Sequence, residues 1–456
     1  MLQGEIHKFR ISDINNEGEG IVRLGEERFV VFVPDALPGE EATCRIVQAK
    51  KNYATAKIIE RHNDSPIRIR PRCPVYGKCG GCQLQHIDHS SQLELKRKTV
   101  YDAIKRIGGI PDPEVGKCIP SPSQWGYRNK ASLPVQTGRR GKFSAGFYKN
   151  RSHDIVPFAG CPVLLPKLES NVCSLINDLK DAGFIGWNEK ERHFIGFIRH
   201  IVLRSAKFTD QSLCGIVGGR PAEKNEIRKL AGIAKAHSDD LTGMVFNKNT
   251  STGNFIWGDE FSTIYGTPVM QEKLGKFTFN FEISSFFQIN SGQALELYKY
   301  ASEAAAGDVC GNILELYSGA GTLTAFLSER ARHVTAVEEW PQASKYMRIN
   351  AELNGLDNIT PHSGSAEEVA EALSGEKFDT VVLDPPRTGC DPRVIASIVK
   401  IAPKKIVYVS CGPATLARDI KGLISNGWSI ENIQPFDMFP QTGHVETVVL
   451  MSRVEK

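Results

Sequence analysis

The chain of 456 residues lacks any run of 18 apolar residues, so no segment is long and apolar enough to read as a membrane-crossing helix. Its first ten residues carry His7, Lys8 and Arg10 but no apolar stretch of the secretory kind, so a cytoplasmic protein with no membrane attachment is expected. Neither a G-x-x-x-x-G-K-S/T loop nor a full G-x-G-x-x-G is present, which removes the usual cradles for a nucleotide's pyrophosphate. Internal repeats and low-complexity stretches are missing too, and a solenoid or fibrous architecture goes with them. There is little excess charge, 56 basic against 52 acidic residues.

The length accommodates two to four domains. With 41% hydrophobic and 24% charged residues, the composition is that of a globular protein with ample core. The bland net charge hides an uneven distribution. Residues 50–110 hold 13 Lys and Arg against 5 Asp and Glu. Residues 124–153 hold 7 Lys and Arg and 5 aromatics with no acidic residue. This asymmetry points to a nucleic-acid face on the N-terminal half.

Eleven cysteines in a long chain of this kind are read as buried hydrophobes, catalysts or metal ligands before disulfides. Cys44, Cys118, Cys173, Cys214 and Cys310 stand among apolar neighbours and are expected to be buried. Cys73, Cys79 and Cys82 form the single cluster, three thiols within ten residues among glycines that let the chain wrap an ion. His86 follows closely but is read as a hydrogen-bonded or solvated histidine.

Residues 1–60 predict five strands, Gly4–Phe9, Gly20–Leu24, Phe29–Val33, Glu41–Gln48 and Ala54–Glu60, compatible with a small OB-like barrel. Arg61–Pro74 is the expected linker. Ser91–Ile107 predicts a helix capped by Ser90 or Ser91, with Leu93, Val100, Ile104 and Ile107 on one face. From 124 to 270 the pattern mixes strands (Ile195–Ser205, Leu213–Gly218) with a helix around Glu223–Ala236, and defines no particular fold. From Ile313 the rhythm is βαβ. Strands are expected at Ile313–Leu316, His333–Val337, Thr380–Leu383, Lys405–Val409 and Val445–Met451. Helices are expected at Thr322–Arg332, Gln342–Asn354 and Ala414–Asn426, giving a doubly wound, mostly parallel sheet.

Three features of that sheet carry chemistry. Gly319 and Gly321 sit at a strand-to-helix turn where the backbone can approach a ligand. Glu338 ends the next strand, 21 residues after Tyr317, where a carboxylate can hold ribose hydroxyls, and Asp384 ends a third. Without a pyrophosphate loop, S-adenosylmethionine fits this set better than a dinucleotide. Cys411 ends a buried strand just before a helix, whose N-terminal dipole is expected to favour the thiolate.

Five motifs in one order then carry a resemblance. Phe286-Phe287-Gln288-Ile289-Asn290, the Glu315–Thr324 turn, Leu383–Gly389, Val409–Asp419 and Asp437–Glu446 resemble those of the RNA (uracil-5-)-methyltransferase family. Residues 1–62 are similar to its TRAM domain, and Trp125–Lys130 to its RNA-contacting central domain. The resemblance implies a Rossmann-like S-adenosylmethionine-dependent methyltransferase domain (91–123 and 281–456), an OB-like TRAM barrel (1–62) and a mixed central domain (63–90 and 124–280). It implies Cys411 as nucleophile on uracil C6 and Glu446 as the base that removes the C5 proton. It further implies Gln288, Tyr317, Thr322, Glu338, Ser365 and Asp384 as contacts to S-adenosylmethionine or the target base, and Cys161 as fourth ligand, with Cys73, Cys79 and Cys82, of a [4Fe-4S] cluster. Four thiolates suit zinc as well.

The substrate implied is 23S rRNA, with the tRNA T-loop as alternative, acted on by a monomer. Gly412 and Gln441 depart from the family, which usually has Asn or Asp and often has His at these places. A cytosine-5 methyltransferase would need a second cysteine three residues after Asp384, where Arg387 stands; Cys390 comes six after and reads as a bystander. An iron–sulfur oxidoreductase lacks its pyrophosphate loop here, and a non-enzymatic RNA-binding assembly factor leaves Cys411 and Glu446 idle.

Overall fold

The computed structural model describes residues 1–25, 29–137, 143–187, 196–251, 253, 255–306 and 311–454. The expected cysteine Cys310 and the start of the Ile195–Ser205 strand lie outside them.

Six strands open the chain: β1 (Ile6–Arg10), β2 (Asp13–Ile14), β3 (Glu19–Leu24), β4 (Phe29–Pro34), β5 (Glu41–Ala49) and β6 (Tyr53–Arg61). They pair in the order β1-β5-β6-β4-β3-β2. Alternation does the folding: Ala42, Cys44 and Ile46 of β5 are buried with Val31, Val33 and Ala54, while Arg45 is exposed. The Arg61–Pro74 segment, expected as a linker, is tethered instead. Arg68 donates two hydrogen bonds to the fully buried Glu40 carboxylate, which also accepts from the Leu37 and Ser65 amides. The turn between β2 and β3 reaches the far end of the chain; a Cβ on Gly443 would stand 1.7 Å from the Asn16 carbonyl oxygen. Only glycine admits that contact.

Helix α1 (His89–Arg106) is capped by Asp88, whose side chain accepts from the Ser91 amide, so the cap lies ahead of the serines expected to supply it. Its buried face is Gln92, Leu95, Lys96, Val100 and Ile104; Leu93 is half-buried and Ile107 is exposed. Lys96 belongs to this face, fully buried and ion-paired with Asp437.

The middle of the chain forms β7 (Lys130–Thr137), β8 (Phe143–Tyr148), β9 (Ile155–Pro157), α2 (Pro166–Asp181), β10 (Ile198–Ser205), β11 (Ser212–Gly218), α3 (Lys224–Ala236), β12 (Gly243–Lys248) and β13 (Glu260–Gly266). These strands make a second sheet, β13-β12-β11-β10-β7-β8-β9, with α2 and α3 sharing its core. The hairpin β14 (Val269–Leu274) and β15 (Phe277–Glu282) follows. Its Met270, Leu274, Phe277, Phe279 and Phe281 are buried with Leu297 and Phe326 of the C-terminal layer. Val202, Leu213 and Val245 of the central sheet join the same core, so the hairpin packs between the two layers.

The C-terminal unit contains α4 (Ser291–Ala306), β16 (Asn312–Leu316), α5 (Thr322–Ser328), β17 (His333–Glu338), α6 (Pro341–Leu353), β18 (Ile359–Ser363), α7 (Ala366–Ala372), β19 (Thr380–Leu383), α8 (Pro392–Ile401), β20 (Lys405–Ser410), α9 (Pro413–Ile424), β21 (Trp428–Phe436) and β22 (Glu446–Arg453). Its strand order is β18-β17-β16-β19-β20-β22-β21, all parallel except β22, which runs against both of its neighbours. Both faces are buried. Ile313, Val382 and Val407 face α4 and α5, while Leu314, Val381 and Ile406 face α8, α9 and α1. Strand order reverses between β16 and β19, so a crevice opens beyond their carboxyl ends.

Of the cysteines expected to be buried, Cys44, Cys118 and Cys214 are; Cys173 is exposed, on the outer side of α2. No helix among the described residues is long and apolar enough to cross a membrane.

Candidate active site

The crevice is lined from both sides of the reversal. After β16 the chain turns at Tyr317, whose φ of 67° is costly for a bulky residue, by about 1–3 kcal/mol. Gly319 and Gly321 follow, also at positive φ, and nothing lies within 4 Å of where a Gly319 Cβ would stand. This open, backbone-lined turn fits a ligand. Glu338 organises it: one carboxylate oxygen accepts from the Gly319 amide at 2.8 Å, the other from the Trp340 amide at 2.9 Å. Each oxygen keeps a second lone pair for a ligand hydroxyl. The Trp340 ring beside it is 73% exposed and carried no signal in the sequence pattern.

Two further expected contacts are committed within the protein. Thr322 donates to the Tyr298 hydroxyl at 3.2 Å, and Ser365 caps α7 by accepting from the Glu368 amide. The hydroxyl proton of Ser365 remains free to donate. The Tyr317 phenol lies toward Cys390 and Glu367; its ionisation is suppressed chiefly by burial and then by the Cys390 thiol. Gln288 is buried at the end of the loop before α4, where Asn129 Nδ2 holds its carbonyl at 2.9 Å.

Across the reversal, β19, β20 and β22 bring three reactive groups together. Asp384 follows β19, Cys411 follows β20, and Glu446 begins β22, where the next residue, Thr447, pairs with Ser410. Their mutual influence shows the proximity. Burial pushes the Cys411 thiol up to about 11, with Glu446 and Asp384 adding to the rise and Arg387 opposing it. Burial raises the fully enclosed Glu446 carboxyl well above its ordinary range, reinforced by Asp384 and opposed by Arg387. Burial alone brings Asp384 to about 7. The thiolate expected from the α9 dipole is thus not the resting state; desolvation and two carboxylates outweigh the helix. Arg387 opposes the rise at both Cys411 and Glu446, a role that the Asp-Pro-Pro-Arg motif left unstated.

Sequence inspection also passed over Glu315 and Tyr298. Glu315 is 1% exposed and pushed up to about 8 chiefly by burial, against a lowering by the Thr324 hydroxyl, and its Oε2 has no hydrogen-bond partner among the described residues. Tyr298 is buried beside Asp384, Glu446 and Glu315. Neither departs from a core pattern in sequence. Cys390, by contrast, is built into a hydrogen-bonded group: its sulfur lies 3.4 Å from the Tyr408 hydroxyl, its amide donates to Asp419, and burial lifts its thiol to about 12.

Gln441, at φ 72°, ties three segments together. Its carbonyl accepts from the Gln83 and Leu84 amides, and its side chain and amide bond to Gln92.

The remaining expected site lies elsewhere. Cys82 is pushed up to about 12 by burial and then by Cys161, Cys79 and Cys73; Cys161 reaches about 11 for the same reasons, with Cys73 and Cys79 contributing. The four thiols therefore face one another, and as donors they suit a thiophilic metal or cluster. Their present spacing, however, forms no group of three His, Cys, Asp or Glu side chains arranged for a metal ion among the described residues. Of the two readings of His86, the hydrogen-bonded one holds: it is 1% exposed, with Nδ1 2.5 Å from the Tyr76 hydroxyl.

Comparisons with known proteins agree with this arrangement. Residues 265–454 match the family model for tRNA (uracil-5-)-methyltransferases, and residues 2–59 match that for TRAM domains. An uncharacterized RNA methyltransferase of Bacillus cereus is 36% identical over 97% of this chain and 96% of its own length. Another, from Gloeobacter violaceus, is 36% identical over 99% and 98%. The crystal structure of the Pyrococcus abyssi tRNA (uracil-54, C5)-methyltransferase in complex with S-adenosyl-L-homocysteine superposes with a TM-score of 0.76 at 30% identity, covering 98% of this chain and 100% of that one.

Proposed function

This chain belongs to the RNA (uracil-5-)-methyltransferase family and is an S-adenosylmethionine-dependent RNA methyltransferase; from that premise we propose that it methylates uracil C5 through a covalent adduct on Cys411. The observation that carries the proposal is the convergence of a thiol, a fully buried carboxyl and a second carboxyl at the ends of β20, β22 and β19.

Uracil C5 is too weak a nucleophile to take a methyl group unaided. Addition of the Cys411 sulfur to C6 gives an enolate whose electron pair is available at C5. S-adenosylmethionine, when bound, supplies the methyl group that C5 takes up. Glu446 then removes the C5 proton, and the returning electron pair expels the Cys411 sulfur and restores the ring. A carboxyl raised well above its ordinary range suits that task, because it is a stronger base than a solvated one. Arg387 and Asp384 set the electrostatics around both groups. Gln288, Tyr317, Thr322, Glu338, Ser365 and Asp384 are proposed as contacts to the methyl donor or target base, supported by their places around the crevice. The target nucleotide must leave any stack to enter, at a cost of a few kcal/mol.

The proposed substrate is 23S rRNA. The tRNA T-loop is a second reading, favoured by the Pyrococcus abyssi tRNA (uracil-54, C5)-methyltransferase, which aligns along its whole length. Mapping 5-methyluridine at nucleotide resolution in cells with and without the protein tests both; a lost site in 23S rRNA supports the first, a lost site in tRNA replaces it, and no lost site refutes both. A [4Fe-4S] cluster on Cys73, Cys79, Cys82 and Cys161 is a separate proposal, supported by the mutual raising of those thiols. Iron and acid-labile sulfide in anaerobically purified protein test it, and stoichiometric zinc would overturn it.

A further inference from the structure

The Val409–Asp419 motif holds more than its cysteine. Thr415, Arg418 and Asp419 stand three and four residues apart, so they share one face of α9 over its first two turns. That face meets the loop after β19 residue by residue. The Thr415 hydroxyl lies 3.3 Å from the Arg387 carbonyl and 3.0 Å from that of Gly412, next to the nucleophile. Arg418 Nη2 donates to the Thr388 carbonyl at 3.1 Å and to the Cys390 carbonyl at 3.2 Å. Asp419 Oδ2 accepts from the Cys390 amide at 2.9 Å and from the Tyr408 hydroxyl at 2.7 Å. Gly389, at φ 77°, lets the loop close down; its Cβ would stand 2.6 Å from both Arg418 Nη2 and Asp419 Oδ2.

Each of these partners belongs to the frame that carries Cys411. Tyr408 lies on β20 three residues before it, and α9 starts two residues after it. Asp419 is 5% exposed, and its Oδ1 accepts from Arg418 Nε at 2.8 Å, so both carboxylate oxygens are engaged. The loop brings a cation to that frame. Arg387 opposes the rise of both Cys411 and Glu446. Its side chain is exposed, and among the described residues no hydrogen bond or ion pair fixes the guanidinium. Its place therefore depends on the backbone of residues 387–390, which α9 grips.

We propose that Asp419 and Arg418 are positioning residues: they clamp residues 387–390 against α9 and so keep the Arg387 cation beside Cys411. This deepens the reaction proposed above and rests on Cys411 as its nucleophile. Both residues act through the loop backbone, not on the reacting atoms. The groups that face Cys411 are Glu446 from β22, Asp384 from the end of β19 and Arg387 from the clamped loop, two acids against one cation. Loosening the clamp withdraws the cation and leaves the acids.

The test is alkylation of the half-buried Cys411 by iodoacetamide in the full chain without RNA. It is followed between about pH 7 and 9.5 by mass spectrometry of the peptide that holds this cysteine, and the thiolate is the reacting form. Asp419→Asn removes a negative charge, which by direct electrostatics would favour the thiolate and speed the reaction. Through the clamp it should slow the reaction instead, by about three- to tenfold at each pH, the effect of one partly screened cation. Arg418→Lys keeps the charge but loses the planar set of donors, and should slow it too. The Arg418 side chain is half exposed, so this variant decides the matter even where Asp419→Asn does not fold. In an Arg387→Gln background, itself slowed, neither substitution should slow alkylation further; a merely structural loosening would act there undiminished. Unchanged or faster alkylation in either folded variant, or a full effect that persists beside Arg387→Gln, overturns the inference. An unmodified chain that alkylates as expected but never methylates uracil in RNA would sink the reaction instead.

Discussion

Replacing Glu446 by Gln separates two steps of the proposed reaction, because the carboxyl enters them with opposite sign. At rest it hinders the nucleophile. A thiol at about 11 is ionised to roughly one part in a thousand at pH 8. After burial, Glu446 is the largest contributor to that rise. The amide that replaces it can place no negative charge beside the thiol, so attack on C6 is not slowed. Proton removal from C5 behaves differently. Loss of a positioned base costs about 10²–10⁴ in rate, enough to hold the methylated nucleotide on the enzyme for minutes. The expected result is a protein–RNA band carrying the labelled methyl group on a denaturing gel, formed by Glu446→Gln at a rate near that of wild-type turnover. Stability offers an internal control. A folded-state carboxyl raised above its unfolded value binds its proton more tightly in the native chain, so it stabilises at low pH and that contribution fades as pH rises past the unfolded value. At pH 8 the Glu446→Gln variant should therefore melt no lower than wild type, and loss of turnover cannot be ascribed to unfolding. Free turnover, or absence of any labelled adduct, would refute the assignment of Glu446 as base.

Cys411→Ala should abolish both methyl transfer and covalent trapping, with S-adenosylmethionine binding by calorimetry largely intact. Cys390→Ala should cost roughly 1–2 kcal/mol in a denaturant titration, through its buried contact with Tyr408, yet still form the covalent adduct; loss of the adduct in folded protein would revive a two-cysteine cytosine mechanism. Asp384→Asn should stabilise the chain above neutral pH by up to roughly 4 kcal/mol, because burial lifts this carboxyl from 3.8 to about 7 and the native state loses stability as pH rises through that window. The same variant should lose methyl transfer, and a lower melting midpoint at pH 8 would contradict the burial argument. Lys96→Met removes the buried ammonium that faces Asp437 and leaves the His89 ring hydrogen-bonded to its carboxylate, and should destabilise by about 3–5 kcal/mol in urea unfolding.

Much of this molecule is legible in the chain alone. Wherever the pattern is local, the sequence decided the outcome: β1 and β3 to β6 lie within two residues of their expected ends, and β16, β17, β19 and β20 fall where continuous apolar runs meet glycine or proline turns. Burial on both faces demands such runs, so they survive in the composition of each segment. Other elements escaped. Strand β18 reads Ile-Thr-Pro-His-Ser because it is an edge strand with one open side, and the packing of β14–β15 between the two layers escaped because hairpin register says nothing about which core will bury it.

The site divides in the same way. Cys411, Asp384, Glu338 and Gly319 announce themselves as strand-end residues in a βαβ rhythm, and the resemblance added Glu446. Their electrostatics did not appear in sequence. A thiol before a helix suggested a thiolate, while desolvation and the carboxyls of two other strands set the opposite resting state. Glu315 and Tyr298 likewise carry no functional mark of their own in sequence. They acquire meaning only when β16 and α4 place them beside Asp384, remote from both in sequence. Spacing along the chain determined which chemical groups are present and which strand end each occupies. Tertiary packing alone decided which of them lose water and which charges they meet, because the field at a buried group is a sum over neighbours that no local pattern encodes.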